Sequence, residues 1–250
     1  MKEHINNVTH WLKAQKLKGC ITGSCMLNQY FDGMDVDWFA YNKQSFTQMF
    51  YAMWYNPEFQ ILDKLELWKA EKFMNQDNDF YKTGVQTIKF YYNTCIEINI
   101  ILKKNANNIF SVLSSFDMDL VTVGYDTYLE QKLDLSGDSH KTKIVNVNQW
   151  NPQFLNHEAW AISRILRQLG RVFKYHKRGF NTDNIVHKYI ELINIMQEHQ
   201  DIFKSSSYSE GLKIRKKNTK IVKQLCEVWL QTHEITEEQI KVINEKIKEI

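Results

Sequence analysis

Apolar residues alternate or recur at helical spacing along this chain, and they divide it into an early half that mixes strands with helices and a late half that reads as helix alone. Ile5, Val8, Trp11 and Leu12 share one face of a helix predicted over about 4–18, which leads into a short strand at 20–22. Gly23-Ser24 makes a turn, and CMLNQYF reads as the helix behind it. A strand follows over 35–41, then an aromatic helix through SFTQMFYAMWY that Pro57 closes. TIKFYYNTCIEINIIL carries two β-rich runs around Asn93-Thr94 and predicts a hairpin. A helix near ANNIFSVLSSF and a strand through MDLVTVGYD complete this half.

Residues 131–152 are polar with one short β-like piece and read as a connecting segment. Beyond them helices are expected over about 153–177, 183–202, 210–231 and 236–250, the last opening on the capping pair Thr236 and Gln239. The expected architecture is therefore α+β: a mixed-sheet domain over 1–130 flanked by helices, then a helical domain over 153–250.

Composition sharpens this picture. Apolar residues at 43% and aromatics at 13% exclude a disordered chain. No apolar run reaches the roughly 18 residues of a membrane helix, and the N-terminus is polar rather than signal-like, so a cytoplasmic location and no membrane partner are expected. Cys20, Cys25, Cys95 and Cys226 lack C-x-x-C pairing and read as reduced, mostly buried residues. The net charge of +3 hides an asymmetry, since residues 160–225 hold 14 Lys/Arg against 5 Asp/Glu, a local balance of +9. That concentration calls for an anionic partner, nucleic acid first.

The chemistry centres on ITGSCMLNQYFDGMDVDWFAY, residues 21–41. Strand alternation puts Asp35 and Asp37 side by side, and two carboxylates that close repel unless a cation lies between them. Mg²⁺ or Mn²⁺ suits such a pair, filling its other positions with water and substrate phosphate. Gly23-Ser24, ten intervening residues and Asp35-Val36-Asp37 resemble the signature of the DNA-polymerase-β-like nucleotidyltransferase superfamily over about residues 15–125. The resemblance implies a nucleotidyltransferase-like mixed sheet, with Asp35 and Asp37 as catalytic metal ligands and Gly23 and Ser24 binding the phosphates of an NTP, ATP among them. It also implies a third acid on a later strand. The matching position holds Asn99, with Glu97 two residues earlier on the same face, so Glu97 is the expected third metal ligand or catalytic base. Asp117 and Asp119 repeat the alternation and are candidates for the same cleft or for solvated strand-end acids.

Arg164, Arg167, Arg171, Lys174 and Arg178 fall on one stripe roughly 80° wide at about 100° per residue, with Trp160 beside them. Arg164, Arg167, Arg171 and Lys174 are the expected contacts for a triphosphate or an RNA backbone, and Lys213, Arg215, Lys216, Lys217, Lys220 and Lys223 extend the charge. His157, His176, His187 and His199 are scattered without metal-ligand spacing and read as structural or solvated. Three functions remain open: a metal-dependent nucleotidyltransferase acting from NTP on a hydroxyl acceptor such as RNA, a catalytically silent module of that fold binding nucleotide or RNA as a regulator, and a protein-modifying nucleotidyltransferase.

Overall fold

The computed structural model describes residues 2–27, 29–75, 85–151, 162–198 and 209–234. Two compact units emerge, one from Met1–Phe116 with Leu120–Gly137, the other from Asp117–Asp119 with Asp138–Ile250. The first is built on a seven-stranded mixed sheet in the order β3-β4-β5-β2-β1-β6-β7. Its strands are β1 (Gly19–Thr22), β2 (Val36–Ala40), β3 (Phe59–Gln60), β4 (Val85–Tyr92), β5 (Ile96–Lys103), β6 (Val123–Asp126) and β7 (Gln131–Asp134). All neighbours pair antiparallel except β2 and β5, which run parallel.

Strict alternation in β4 and β5 sets the sheet's two faces. Ile88, Phe90, Ile98 and Ile100 are buried on one side, and Lys89, Tyr91, Glu97 and Asn99 stand half-buried on the other. The hairpin between these strands turns through Asn93 and Thr94 at φ 46° and 60°. Helices α1 (Lys2–Ala14), α2 (Lys43–Trp54) and α3 (Lys64–Asn75) cover the apolar side. Phe50 of α2 meets Phe90 at 5.9 Å between ring centroids, and Phe73 of α3 meets Phe50 at 5.0 Å. The opposite side is covered at one end by α4 (Ile109–Leu113), whose Val112 packs with Cys20, Phe39 and Ala106. At its other end that side carries the polar residues.

The second unit contains α5 (Ser139–Thr142), α6 (Ile162–Lys177), α7 (Asp183–Glu198) and α8 (Ser209–Thr232). Ile165, Leu169 and Val172 of α6, Ile185 and Tyr189 of α7, and Cys226 and Trp229 of α8 are buried. Among the described residues no helix is long and apolar enough to cross a membrane.

Several expectations change. Among its described residues CMLNQYF does not form an α-helix: a 3-10 turn spans Gly23–Met26, and Leu27 is already extended at φ −71° and ψ 144°. Leu27, Phe31 and Met34 are buried at helical spacing, but they pack as a loop, with the Phe31 amide donating to the Met34 sulfur and Gly33 at φ +66°. β3 and α3 form where no element was expected, and residues 131–134 form an edge strand rather than a connection. Cys95 is exposed, while Cys20 and Cys226 are buried and all four thiols are free. Residues 153–161 and 236–250, where helix was expected, lie outside the described residues, as do Trp160, His157 and His199.

Candidate functional site

The two aspartates converge on the turn after β1. Asp35 lies one residue ahead of β2, and the Ser24 hydroxyl donates to its Oδ1 at 3.3 Å. Asp37 pairs with Thr22 across β1, which brings its carboxylate against Gly23. Gly23 has φ +84°, and a Cβ placed on it would stand 3.0 Å from Asp37 Oδ2. The glycine is thus needed twice, for a left-handed backbone and for the close approach of the carboxylate. Cys25 feels both acids: burial first, then Asp37 and Asp35, push its thiol above the ordinary value, while its Sγ donates to the Thr22 carbonyl at 3.1 Å.

The parallel register of β2 and β5 sets Asp37 opposite Asn99, and the antiparallel register of β5 and β4 sets Asn99 opposite Lys89. One polar row therefore crosses the sheet from Thr22 through Asp37 and Asn99 to Lys89. Asn99 Nδ2 donates to Asp37 Oδ1 at 3.0 Å and reaches Glu97 Oε1 at 3.5 Å. Both neighbours only accept, so the amide must turn its NH₂ towards them. Glu97 Oε2 lies 2.9 Å from Lys89 Nζ and 3.5 Å from the Tyr91 hydroxyl. This contact with Glu97 is the main reason Lys89 holds its proton above the ordinary lysine range. Thr22 is fully buried, and its Oγ1 has no hydrogen-bond partner among the described residues.

Asp35 and Asp37 fit a hard divalent cation, being two half-buried carboxylates brought to one turn. Among the described residues no group of three or more His, Cys, Asp or Glu side chains could hold a metal, so the protein would give two carboxylates and leave other positions to water and phosphate. Glu97, expected as the third ligand, turns to Lys89 instead. The Ser24 hydroxyl, expected on a phosphate, is donated to Asp35. Lys89, Tyr91 and Thr22 were not singled out from sequence. A lysine inside the alternating run TIKFYY was the available signal for the first of them.

The second acidic pair belongs to the other unit. Asp117 is buried, and its Oδ1 accepts from Arg171 Nη1 at 2.8 Å and from the Met118 amide at 3.1 Å. Asp119 accepts from the Asn146 amide at 2.9 Å, from Asn146 Nδ2 at 3.1 Å and from the Ser139 hydroxyl. These acids hold the 117–119 segment against 145–148, where Met118 and Val147 form an antiparallel bridge. Arg171 is thereby tied to Asp117. Arg164, Arg167 and Lys174 also lie on α6, the first two with side chains outside the described residues. No family model matches the chain, and no curated protein matches its sequence.

Proposed function

We propose that the chain is a metal-dependent nucleotidyltransferase that moves a nucleoside monophosphate from an NTP to a hydroxyl acceptor. The observation that carries this reading is the meeting of Asp35 and Asp37 at the Gly23-Ser24 turn, with Asp37 seated on the face of a left-handed glycine. Asn99, which fills the position where the nucleotidyltransferase resemblance implies a third acid, pairs with Asp37 across β5 and β2. A Mg²⁺ or Mn²⁺ ion bound there would supply Lewis-acid charge for the α-phosphate and the leaving pyrophosphate. Asp35 and Asp37 position that charge, Ser24 orients Asp35, and Asn99 fixes the rotamer of Asp37 by holding Oδ1. Transfer joins the acceptor oxygen to the α-phosphorus and breaks its bond to the pyrophosphate, with the acceptor's proton passing to one of the site's carboxylates. RNA is the acceptor that the basic composition of residues 160–225 favours.

A second reading has its own support. Asn99 cannot act as a base or neutralise a cation, so a silent module that binds nucleotide or RNA fits the same geometry. The test is label transfer from each α-labelled NTP with Mg²⁺ or Mn²⁺, in parallel arms offering RNA and protein acceptors. Transfer into either arm, reduced at least about 100-fold by Asp35→Ala or Asp37→Ala, supports the enzyme and names its acceptor class. Metal-dependent NTP binding with no transfer in any arm selects the silent module. Neither binding nor transfer removes both.

A further inference from the structure

The polar row across β2, β5 and β4 has a charge pattern that a site for two cations would not have. A second divalent cation beside Asp37 and Glu97 needs oxygen lone pairs aimed at it from both carboxylates. Between those two carboxylates stands the NH₂ of Asn99, with Asp37 Oδ1 at 3.0 Å and Glu97 Oε1 at 3.5 Å. The other Glu97 oxygen is 2.9 Å from the Lys89 ammonium, which the β4–β5 register places directly across from Asn99. The space is therefore lined by donor hydrogens, and a cation there would meet positive ends rather than lone pairs. Before an NTP brings its own negative charge the protein groups agree: Asp35, Asp37 and Glu97 carry three negative charges, which Lys89 and one divalent ion neutralise. A second divalent ion would leave the protein part of the site with an excess of two positive charges.

An independent feature lies at the other end of the row. Thr22 is fully buried in register with Asp37 and on its side of the sheet, and its Oγ1 has no hydrogen-bond partner among the described residues. A buried hydroxyl left so is costly, and a water on a cation held by Asp37 would satisfy it.

Building on the function proposed above, we propose that this site takes one divalent cation, held by Asp35 and Asp37, and that Lys89 with Asn99 fills the place where a second would bind between Asp37 and Glu97. Lys89 then acts as a fixed positive charge at the site, a positioning residue that needs no loading from solution.

The test is Mn²⁺ stoichiometry of the full chain, read from the electron paramagnetic resonance signal of free Mn²⁺, with and without an α,β-methylene NTP analogue. The wild type should bind one Mn²⁺ per chain, and Asp35→Ala should lose it. The double variant Lys89→Ala/Asn99→Asp, and Asn99→Asp alone if the double variant does not fold, should bind a second Mn²⁺. Two Mn²⁺ in the wild type would overturn the inference and leave the proposed transferase standing. One Mn²⁺ in a folded double variant or in Asn99→Asp would likewise overturn the part given to Lys89 and Asn99. No Mn²⁺ in the wild type, even with the NTP analogue, removes the metal reading itself and the inference with it.

Discussion

At the scale of single residues, Gly23 links backbone conformation to chemistry. A side chain there meets two penalties, a φ of +84° and a contact at 3.0 Å with Asp37 Oδ2. Gly23→Ala should therefore lower stability by about 1–3 kcal/mol in urea denaturation, and the part of the loss that pushes Asp37 aside should also weaken Mn²⁺ affinity. A change within about 0.5 kcal/mol with unaltered Mn²⁺ affinity would show that the turn does not hold Asp37 as described. That Gly23, Ser24, Asp35 and Asp37 come together at one turn was legible in sequence because their spacing is local. What Asn99 and Glu97 touch was not legible, because it depends on Lys89, which enters through a cross-strand register that no local pattern encodes. The hydrogen bond from Ser24 to Asp35 was not legible, since the resemblance implied a phosphate as its partner and its acceptor lies eleven residues on in sequence.

At the scale of elements, strands were the most readable part of the chain. β4 and β5 alternate residue by residue, and a period of two admits no other face assignment. Helices were read less well, for opposite reasons at two places. Leu27, Phe31 and Met34 show helical spacing in a segment that packs as a loop after a short 3-10 turn. α3 forms although Leu65, Leu67 and Trp68 are exposed, so its apolar residues mark no single buried stripe. Its Glu66 accepts from the backbone amide of Lys89 at 3.2 Å, a tertiary contact outside the reach of periodicity. The alternating acids of 117–119 were equally ambiguous, since a solvated strand end, a cleft and a buried ion pair share one pattern. Asp117 forms the ion pair, with a side chain 6% exposed against 49% for Arg171. Asp117→Ala should cost about 1–2 kcal/mol, less than a fully buried pair, because Arg171 can be rehydrated. Mn²⁺ affinity should not change. A stable Asp117→Ala variant that had lost Mn²⁺ affinity would place this acid in the metal site.

At the scale of the whole molecule, the chain is two compact units, and the 117–119 segment belongs to the second although the sheet continues after it. That exchange is invisible in sequence, where the hydrophobic pattern runs on from MDL into VTVGYD. The mixed sheet was legible from pattern, whereas residues 131–134 were too polar to announce an edge strand. Asp35 and Asp37 meet at the turn after β1, while basic residues are concentrated over 160–225 of the sequence. In the proposed function Asp35 and Asp37 act together as a cation and triphosphate site. The most direct measurement is calorimetric titration of the full chain with an α,β-methylene NTP analogue, with Mg²⁺ present and then chelated, in the wild type and in Asp35→Ala and Asp37→Ala. Saturable binding that requires Mg²⁺ and is lost in both variants is the expected result; binding that survives chelation and both substitutions, or no binding of any NTP analogue to the wild type, would contradict the account.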